Sequence, residues 1–530
     1  MRLYSIAPSR RLGKIQSSGV HRDCSRPRGL RWAARSFASI TASDSAKGYQ
    51  SIGSFHSENL NEILQIPDNQ YAPPSLPFKG VQHEPDLDDL DIFDSKTASE
   101  AFLLDLSSWT FLNHGAFGAA LRVGYDRAAQ WRRYLETQPL RYFDRSLLPH
   151  LAHSTRRLAT FVDATPTNLA LLPNVTSGLN AVFAGFHRHN RSLGQSSHVI
   201  LFDTTYGSTK KMTQQYFGAN NVSELSLLST HSLHQLATSK DPTKVIEQIL
   251  HEFVAQLDAA VLHDTNLLLV LDHTTSNTAL TFPVQRLAKY TKQLVTEKFG
   301  QDDNKFPKLV VVVDGAHGLL AQDLKIEQDM VDVDFYLTNG HKWACTPRGV
   351  GLLYAKPCYH DTILAQPAIV SHGVDAPDLF SRFVWDGCRD YAAALAVPQV
   401  LDFWERSRPN DILEYLRSNL QQGIAVLAEA WHPDSMDKSN WAGNVTLVDA
   451  ESPFLSPMAL VRLPTRMQPS EGATSTHAKA VQDYLYQSAI EVPIKVVDDQ
   501  LYVRVSCHIY NDTEDFVQLA TAIQKSQGAL

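Results

Sequence analysis

Five short apolar runs, each bounded by turn-forming residues, recur through the middle of the chain. They are HVILF (198–202), NLLLVLD (266–272), KLVVVVD (308–314), VDFYLT (333–338) and GVGLLYA (349–355). Stretches with helical periodicity lie between several of them, such as NVTSGLNAVFAGFHRH and FPVQRLAKYTKQLVTEKF. Buried apolar strands that alternate with amphipathic helices predict an α/β fold with a mostly parallel central sheet.

The pattern changes after about residue 397. The segments PQVLDFWERS and DILEYLRSNLQQGIAVLAEAW have helical periodicity, whereas PMALVRLP, VPIKVV and LYVRVSCHIY resemble the strands of a short antiparallel sheet. We therefore expect a large domain at residues 105–395 and a smaller C-terminal α+β domain at residues 396–530.

The N-terminal part of the chain has a different composition. In residues 1–45, nine arginine or lysine residues and a single acid, Asp23, precede Asp44, and serines are frequent. This composition is typical of an organellar transit peptide, so we expect a mitochondrial protein; the alternative is a basic tail without a targeting role. Residues 46–104 combine the proline-rich YAPPSLPFKG with the acidic EPDLDDLDIFD, which predicts a linker.

Composition and charge narrow the class of protein. A chain of 530 residues is too long for one small core, and 43% hydrophobic with 20% charged residues is ordinary for a globular protein. The net charge of −8 gives no electrostatic argument for nucleic acid or an acidic membrane as a partner. The sequence contains no run of about 18 apolar residues, so it predicts no membrane-spanning helix. Five sparse cysteines, an odd number, favour a reducing compartment over a disulfide scaffold.

Side chains that could take part in catalysis lie at or just after the ends of two strands of the predicted sheet. Asp314 ends KLVVVVD and is followed by GAHG, and Lys342 follows the next strand in TNGHKW. Parallel neighbouring strands would bring these two ends to the same edge of the sheet, where ligands collect. A carboxylate can keep a pyridine ring protonated, and an amine can form a Schiff base with an aldehyde. An aspartate in this position can equally be a loop cap.

A third group could hold a phosphate. In PNVTSGLNAVF, Thr176 and Ser177 stand at the start of a predicted helix, where free backbone N–H groups and two hydroxyls form an anion site. An ordinary N-cap is the alternative, and the combination with Asp314 and Lys342 favours the anion site.

With these motifs, the chain resembles the class V aminotransferase-like, fold-type I pyridoxal-phosphate-dependent enzymes. It is most similar to the isopenicillin N epimerase-like branch, which also holds cysteine-sulfoxide lyases. The resemblance covers roughly residues 105–525, and several motifs occur in the family's order. It implies a large pyridoxal 5'-phosphate-binding domain that is preceded by a substrate loop.

The resemblance also implies roles for single residues. Lys342 would be the Schiff-base lysine, Asp314 the partner of the pyridinium nitrogen, and His317 a neighbour of the ring's phenolic oxygen. The other implied cofactor contacts are Asn277 at the phenolic oxygen, Thr176, Ser177, Asn339 and His341 at the phosphate, and Tyr206 stacked on the ring.

Further implied positions concern the substrate and a second subunit. Arg504 would bind the α-carboxylate of an amino acid, and Asn113 and His114 would line the substrate pocket. WDGCRDYAAALAVPQ matches the segment that a neighbouring subunit commonly contributes to the phosphate site, which implies a homodimer with a shared active site. Cys388 stands there where relatives carry threonine, and a thiol is the weaker hydrogen-bond donor.

The motifs do not encode the reaction that follows removal of the α-proton. We expect a carbon–sulfur lyase or an epimerase that acts on an L-amino acid, with a class V aminotransferase as one alternative and a catalytically inactive scaffold as another. Persulfide relay is disfavoured because no cysteine lies between Cys388 and Cys507. A metal is not expected, because the candidate zinc ligands have no paired spacing: His341, Cys345, Cys358 and His360.

Overall fold

A computed structural model describes residues 60–78, 91–258, 264–300, 306–406, 408–435, 441–448 and 456–526. The predicted transit peptide at residues 1–45 lies outside the described residues. The β-strands are β1 (Thr110–Phe111), β2 (Leu169–Leu172), β3 (Ser196–Phe202), β4 (Val222–Leu225), β5 (Thr265–Asp272), β6 (Leu309–Asp314), β7 (Phe335–Asn339), β8 (Gly351–Ala355), β9 (Met458–Arg462), β10 (Ile490–Glu491), β11 (Ile494–Val497) and β12 (Gln500–Ser506).

The α-helices surround these strands. They are α1 (Leu60–Gln65), α2 (Ser95–Ser99), α3 (His114–Phe117), α4 (Arg122–Thr137), α5 (Pro139–Arg141), α6 (Leu147–Phe161), α7 (Val175–Ser192), α8 (Gly207–Phe217), α9 (Thr230–Thr238), α10 (Pro242–Gln256), α11 (Val284–Phe299), α12 (Ile326–Asp329), α13 (Leu379–Phe383), α14 (Ala392–Leu395), α15 (Val397–Glu405), α16 (Pro409–Trp431), α17 (Ser475–Gln487) and α18 (Thr513–Lys525). None of them is both long and apolar enough to cross a membrane.

The central sheet has seven strands in the order β2-β8-β7-β6-β5-β3-β4. The five strands β4, β3, β5, β6 and β7 run parallel, and β8 and β2 complete the sheet in antiparallel pairings. Strands β5 and β6 are continuous apolar runs because helices cover both faces of the sheet. The predicted α/β fold with a mostly parallel sheet is therefore confirmed.

The sheet brings two carboxylates side by side. Strands β5 and β6 pair in parallel, with Asp272 in register with Asp314 at their carboxyl ends. The next strand, β7, pairs with β6 and ends at Asn339, three residues before Lys342. The expected meeting of Asp314 and Lys342 at one edge of the sheet follows from this topology.

A second core lies in the C-terminal part of the chain. Strands β9, β11 and β12 form an antiparallel sheet in the order β11-β12-β9, as predicted, and helices α16, α17 and α18 cover one of its faces. The predicted division at residues 395 and 396 falls inside the first core, which still includes Trp404 and Leu416. The side chains change core within the long helix α16, where Leu416 belongs to the first core and Leu420 to the second.

The predicted linker at residues 46–104 is corrected for its described parts, which pack on the large domain. Leu60 and Leu64 of α1 and Phe102 are buried in the first core. Arg156 of α6 donates hydrogen bonds to the carbonyls of Ile63, Leu64 and Ile66. The apolar residues are widely spaced between proline-rich and acidic stretches, so composition alone conceals this packing.

Candidate active site

The loop after β7 places the Lys342 side chain against a histidine. Lys342 Nζ lies 3.0 Å from His317 Nε2, and Trp343 Nε1–H donates to His317 Nδ1 over 3.2 Å. His317 is buried, and its burial and then the positive charge of Lys342 hold its pKa well below 6.5, so the ring is neutral. Because Nδ1 accepts from Trp343, the single ring proton is assigned to Nε2 and is donated to Lys342 Nζ.

This tautomer requires Lys342 to accept a hydrogen bond, which only the neutral amine can do. Burial lowers the pKa of Lys342 to about 8, although the nearby Asp314 opposes this shift. A neutral amine is the nucleophilic form that attacks a carbonyl group. The hydrogen-bond chain Trp343–His317–Lys342 therefore prepares the lysine for covalent chemistry.

Two carboxylates at the ends of β5 and β6 have different environments. Asp314 accepts hydrogen bonds from the Thr209 hydroxyl at 3.2 Å and the Ala316 N–H at 3.1 Å. Asp272 accepts a longer bond, of 3.4 Å, from the Tyr206 N–H. Burial raises the pKa of both carboxyls, and the negative charge of Asp314 contributes to raising that of Asp272 to about 8. Asp314 is thus the better-stabilised carboxylate, and Asp272 holds the proton near neutral pH.

The N-terminus of α7 carries Thr176 and Ser177, the residues predicted to bind a phosphate. The Asn174 side chain accepts from the Ser177 N–H at 2.9 Å and caps the helix, and Thr176 is exposed. Asn339, predicted to hold the phosphate, instead uses its Oδ1 to accept the Val175 N–H at 3.1 Å. This bond ties the end of β7 to the start of α7, and the amide nitrogen of Asn339 is the group left to donate to an anion.

Arg504 on β12 faces the large domain. Its Nη1 donates to the Ser276 carbonyl and its Nη2 to Asn113 Oδ1 at 3.2 Å. Asn113 is held in turn by Glu491 at 3.1 Å and by a β-bridge to Ser506. Burial lowers the pKa of Arg504 to about 10, so the guanidinium remains charged at neutral pH. The predicted pair of Arg504 and Asn113 is therefore one hydrogen-bonded unit between the two cores.

His114 does not line an open pocket, which corrects the predicted substrate contact. Its ring is fully buried, with Nδ1 2.8 Å from the Tyr510 hydroxyl and Nε2 3.0 Å from the Lys342 carbonyl. His508 holds the Trp343 carbonyl in the same way, at 3.1 Å from its Nε2. These two histidines hold the backbone carbonyls of Lys342 and Trp343, and neither ring contacts the Lys342 side chain through these bonds.

Cys345 completes this cluster. Its Sγ lies 3.7 Å from His114 Nε2 and 3.6 Å from His508 Nε2. Both nitrogens already contact backbone carbonyls, so hydrogen bonding accounts for the grouping without a metal ion. The zinc ligands considered from the sequence are not brought together, since Cys358 is exposed and His360 contacts the Ala355 carbonyl instead.

The loop before α4 approaches the lysine closely. At Gly118, which has a φ of 65°, an added Cβ would lie 2.0 Å from the His341 carbonyl and 2.7 Å from Lys342 Cα. Only glycine allows this contact. Arg348 Nη2 donates to the Gly118 carbonyl at 3.3 Å, which gives that arginine a structural role.

The remaining predicted residues lie at the rim. Tyr206 precedes α8 beside Asp272, and its ring is 46% exposed, a position compatible with stacking on a ligand. Asn277 is exposed in the loop that carries the Ser276 carbonyl, and no hydrogen bond among the described residues joins it to His317. Cys388 is exposed too, and its contribution from a second subunit stays a prediction.

Buried polar atoms without partners test whether pyridoxal phosphate fits this site. Within the described ranges, Asp272 Oδ2, His341 Nδ1 and Arg504 Nε are buried and have no hydrogen-bond partner. Native proteins rarely leave such atoms unpaired, so three of them around one lysine indicate a place for a polar ligand. An amine, a buried carboxylate and a helix N-terminus match the aldehyde, ring nitrogen and phosphate of this cofactor.

Comparisons with known proteins show what the chain is similar to. The aminotransferase class-V family model matches residues 254–389. Putative L-cysteine desulfhydrase 1 from Oryza sativa subsp. japonica is 25% identical over 438 residues, covering 78% of this chain and 82% of the relative. Isopenicillin N epimerase from Amycolatopsis lactamdurans is 24% identical over 438 residues, covering 78% of this chain and 94% of the relative.

A solved structure agrees in fold. The cystine C-S lyase C-DES, in complex with its reaction product cysteine persulfide, superposes with a TM-score of 0.57 at 18% identity, covering 79% of this chain and 98% of C-DES. The resemblance to class V aminotransferase-like proteins is confirmed. The fold-type I architecture predicted with it is confirmed as well.

Several residues of this site were not identified from the sequence. Trp343 is not among the predicted site residues, although its position next to Lys342 is a signal. Asp272 ends a buried strand as Asp314 does, so the same sequence signal that made Asp314 a candidate also applied to Asp272. Thr209 and His508 carried no such signal, because their contacts depend on how distant segments meet.

Proposed function

We propose that this chain is a pyridoxal-phosphate-dependent lyase that cleaves the carbon–sulfur bond of an S-substituted L-cysteine. The observation that carries the proposal is the buried Lys342 amine, held by His317 beside the Asp314 carboxylate. Its relatives include proteins named for cysteine desulfhydrase activity, which supports sulfur-bearing amino acids as the substrate class.

Residues on three elements would hold the cofactor. Lys342 would bind it covalently, Asp314 would pair with its ring nitrogen, and the N-terminus of α7 with Thr176 and Ser177 would take its phosphate. Once bound, pyridoxal phosphate supplies an electron sink for the pair of electrons left when the α-proton departs. The Thr209 hydroxyl and the Ala316 N–H keep Asp314 in place and favour its charged form.

The substrate would be oriented by Arg504. The Ser276 carbonyl and Asn113 Oδ1 fix the guanidinium, while its Nε–H and the second N–H of each Nη remain available. A planar guanidinium can bind a carboxylate through two parallel hydrogen bonds, which fixes both position and orientation. The amino acid would thus present its α-carbon toward Lys342.

Lys342 would then act as the base. Nζ takes the α-proton, the Cβ–S bond breaks, and the sulfur leaves with the bonding electrons and a proton as a thiol. Water completes the reaction, so one S-substituted cysteine and one water give one thiol, one pyruvate and one ammonia. His317 keeps the amine oriented through its Nε2–H.

One panel of compounds tests the proposal against epimerisation and transamination. The holoenzyme is incubated with L-amino acids and S-substituted L-cysteines in deuterated buffer. Release of pyruvate with a thiol supports the lyase. Deuterium at Cα with inversion and no pyruvate would identify an epimerase, and a keto acid that retains the side chain would identify an aminotransferase; either result overturns the lyase.

Assembly and location are part of the proposal. We infer a homodimer with a shared phosphate site to which the exposed Cys388 segment contributes, and we infer that residues 1–45 direct the chain to mitochondria. Sedimentation of the purified protein as a monomer would contradict the first. For the second, the expected result is import of a fluorescent fusion into mitochondria, which is lost when residues 1–45 are deleted.

A further inference from the structure

A cavity of about 410 Å³ lies next to Arg504, between the loop after β5 and the C-terminal sheet. Asn277 and Thr278 form one wall. The other wall is formed by β11 and α17, with Lys479 and Lys495 among its residues. The Ser276 carbonyl that anchors Arg504 immediately precedes the first wall, so the cavity adjoins the predicted carboxylate site.

Strand register places Lys495 on the same side as Arg504. Lys495 pairs with Tyr502 in the antiparallel ladder of β11 and β12, and side chains two apart on a strand share a face. Arg504, two residues after Tyr502, is therefore a diagonal neighbour of Lys495, with roughly 7–8 Å between their backbones. Ile494 and Val503, on the opposite face, belong to the second core, and Ile494 also borders the cavity.

Lys495 is a half-buried cation without a counter-ion. Within the described part of the chain, no hydrogen bond or ion pair engages its ammonium, whereas Lys479 on the same wall is paired with Asp483 at 2.5 Å. Burial and then the positive charge of Arg504 lower the pKa of Lys495 to about 8. Two neighbouring cations repel each other, and an anion bound beside them would relieve both the repulsion and the lost hydration.

We propose that Lys495 forms a second anion subsite, which selects S-substituted L-cysteines whose sulfur substituent ends in a carboxylate. The inference rests on the proposed function, because it assigns the α-carboxylate to Arg504. The distal carboxylate would lie in the cavity, with Lys495 on one side and the exposed Asn277 amide on the other. A neutral substituent of the same length would leave Lys495 unpaired.

A matched pair of thioethers tests this subsite. The holoenzyme is assayed with S-(2-carboxyethyl)-L-cysteine and its amide, S-(2-carbamoylethyl)-L-cysteine, which has nearly the same shape without the charge. We expect kcat/KM for pyruvate release to favour the carboxylate by about tenfold or more, the size expected for a charge-assisted hydrogen bond. Equal values for both compounds would overturn the inference.

Variants assign the preference to one residue. Lys495→Met is expected to reduce the ratio to about one, and Lys495→Glu to shift the preference to S-(2-aminoethyl)-L-cysteine. Lys495→Arg should retain the preference, which separates loss of charge from loss of folding. Lys479→Met, on the same wall but already paired, should leave the ratio unchanged. A ratio that survives in Lys495→Met contradicts the proposal.

Failure of the lyase proposal is distinguishable from failure of this one. If neither thioether releases pyruvate, the panel of S-substituted L-cysteines decides the lyase proposal, and equilibrium binding of both compounds is measured through the visible absorbance of the lysine-bound cofactor. A tenfold tighter binding of the carboxylate that Lys495→Met abolishes supports the subsite. Equal binding, or no binding of either compound, overturns it.

Discussion

Buried histidines lie on both sides of Lys342, and they do different work. We call Asp314, His317 and Lys342 the reaction layer, and His114, Cys345 and His508 the support layer. In the reaction layer, a histidine contacts the Lys342 side chain. In the support layer, histidines contact the Lys342 and Trp343 carbonyls. Equally buried histidines can therefore differ in function. The atom that each ring contacts, a side-chain amine or a backbone carbonyl, indicates which function it has.

The comparison predicts which measurement each layer affects. Changes in the reaction layer should reduce activity with little loss of stability, because we propose that its groups act on the ligand. Changes in the support layer should reduce stability first, since its hydrogen bonds fix buried backbone.

Asp314→Asn is expected to have the largest effect. The change removes the negative charge that the ring nitrogen would need, so kcat/KM should fall by about a thousandfold, comparable to loss of a preorganised electrostatic contact. Pyruvate release measures activity, and visible absorbance shows that cofactor is still bound. The matched control is Asp272→Asn, which imitates a carboxyl already protonated at neutral pH and should lower kcat/KM much less. A larger loss of kcat/KM in Asp272→Asn than in Asp314→Asn would show that Asp272, and not Asp314, is the charged carboxylate.

His317→Ala should lower kcat/KM by about a hundredfold, within the usual range for a group that assists proton transfer. The variant loses the Nε2–H that orients Lys342 Nζ. Thermal unfolding of the holoenzyme should change little. If the melting temperature collapsed while the surviving enzyme stayed fully active, His317 would belong to the support layer.

Trp343→Phe is a finer test of the tautomer. It removes the N–H that His317 Nδ1 accepts, while the aromatic ring remains. The imidazole proton can then occupy either nitrogen, so kcat/KM should fall by about tenfold or less, in proportion to one lost hydrogen bond. The pH midpoint for cofactor uptake by apoenzyme, expected near 8 from the pKa of Lys342, should also shift. An unchanged midpoint and rate would show that Trp343 only packs.

His508→Phe should act mainly on stability. The variant loses the Nε2–H that contacts the Trp343 carbonyl and leaves that buried oxygen to the weak Cys345 S–H donor, which destabilises the fold by about 1–3 kcal/mol. Calorimetry or fluorescence-monitored unfolding measures the loss. Purified His508→Phe holoenzyme should retain kcat/KM within about threefold, a limit below the smallest reaction-layer effect. A hundredfold loss of activity with normal stability would contradict the division into layers.

Mild acid should destabilise the support layer without any substitution. Burial lowers the pKa of His508 from 6.5 to about 4, so below pH 6.5 the unfolded chain binds a proton that the folded chain does not. Stability is therefore complete above pH 6.5 and declines as the pH falls toward 4. The melting temperature should drop between pH 7 and pH 5, and less so in His508→Phe. If the melting temperature fell equally with pH in the wild type and in His508→Phe, protonation of His508 would not be the cause.

Much of this architecture was predictable from the sequence because its strands are long and apolar. The runs that became β3, β5, β6, β7 and β8 were located to within about two residues, as expected for strongly patterned elements. The strands β2 and β4 have only four residues each and were missed. Short strands give too little pattern to separate them from loops.

The site was predictable where residues follow strand ends, as Asp314 and Lys342 do. Contacts that join distant segments were not, and His114 illustrates the limit. Its position in FLNHGAFG suggested a substrate contact, yet its ring meets Tyr510, which lies 396 positions away in the chain. Local pattern cannot indicate which side of a buried loop a side chain will occupy.

The proposed function depends first on Lys342 as the residue that holds the cofactor. The direct test is borohydride reduction of the purified holoenzyme, followed by protease digestion and mass spectrometry. We predict that the visible absorbance disappears and that the pyridoxyl mass is found on the peptide that contains Lys342, with no such modification in Lys342→Ala. A pyridoxyl group on another lysine, or none on the wild-type protein, would contradict the account.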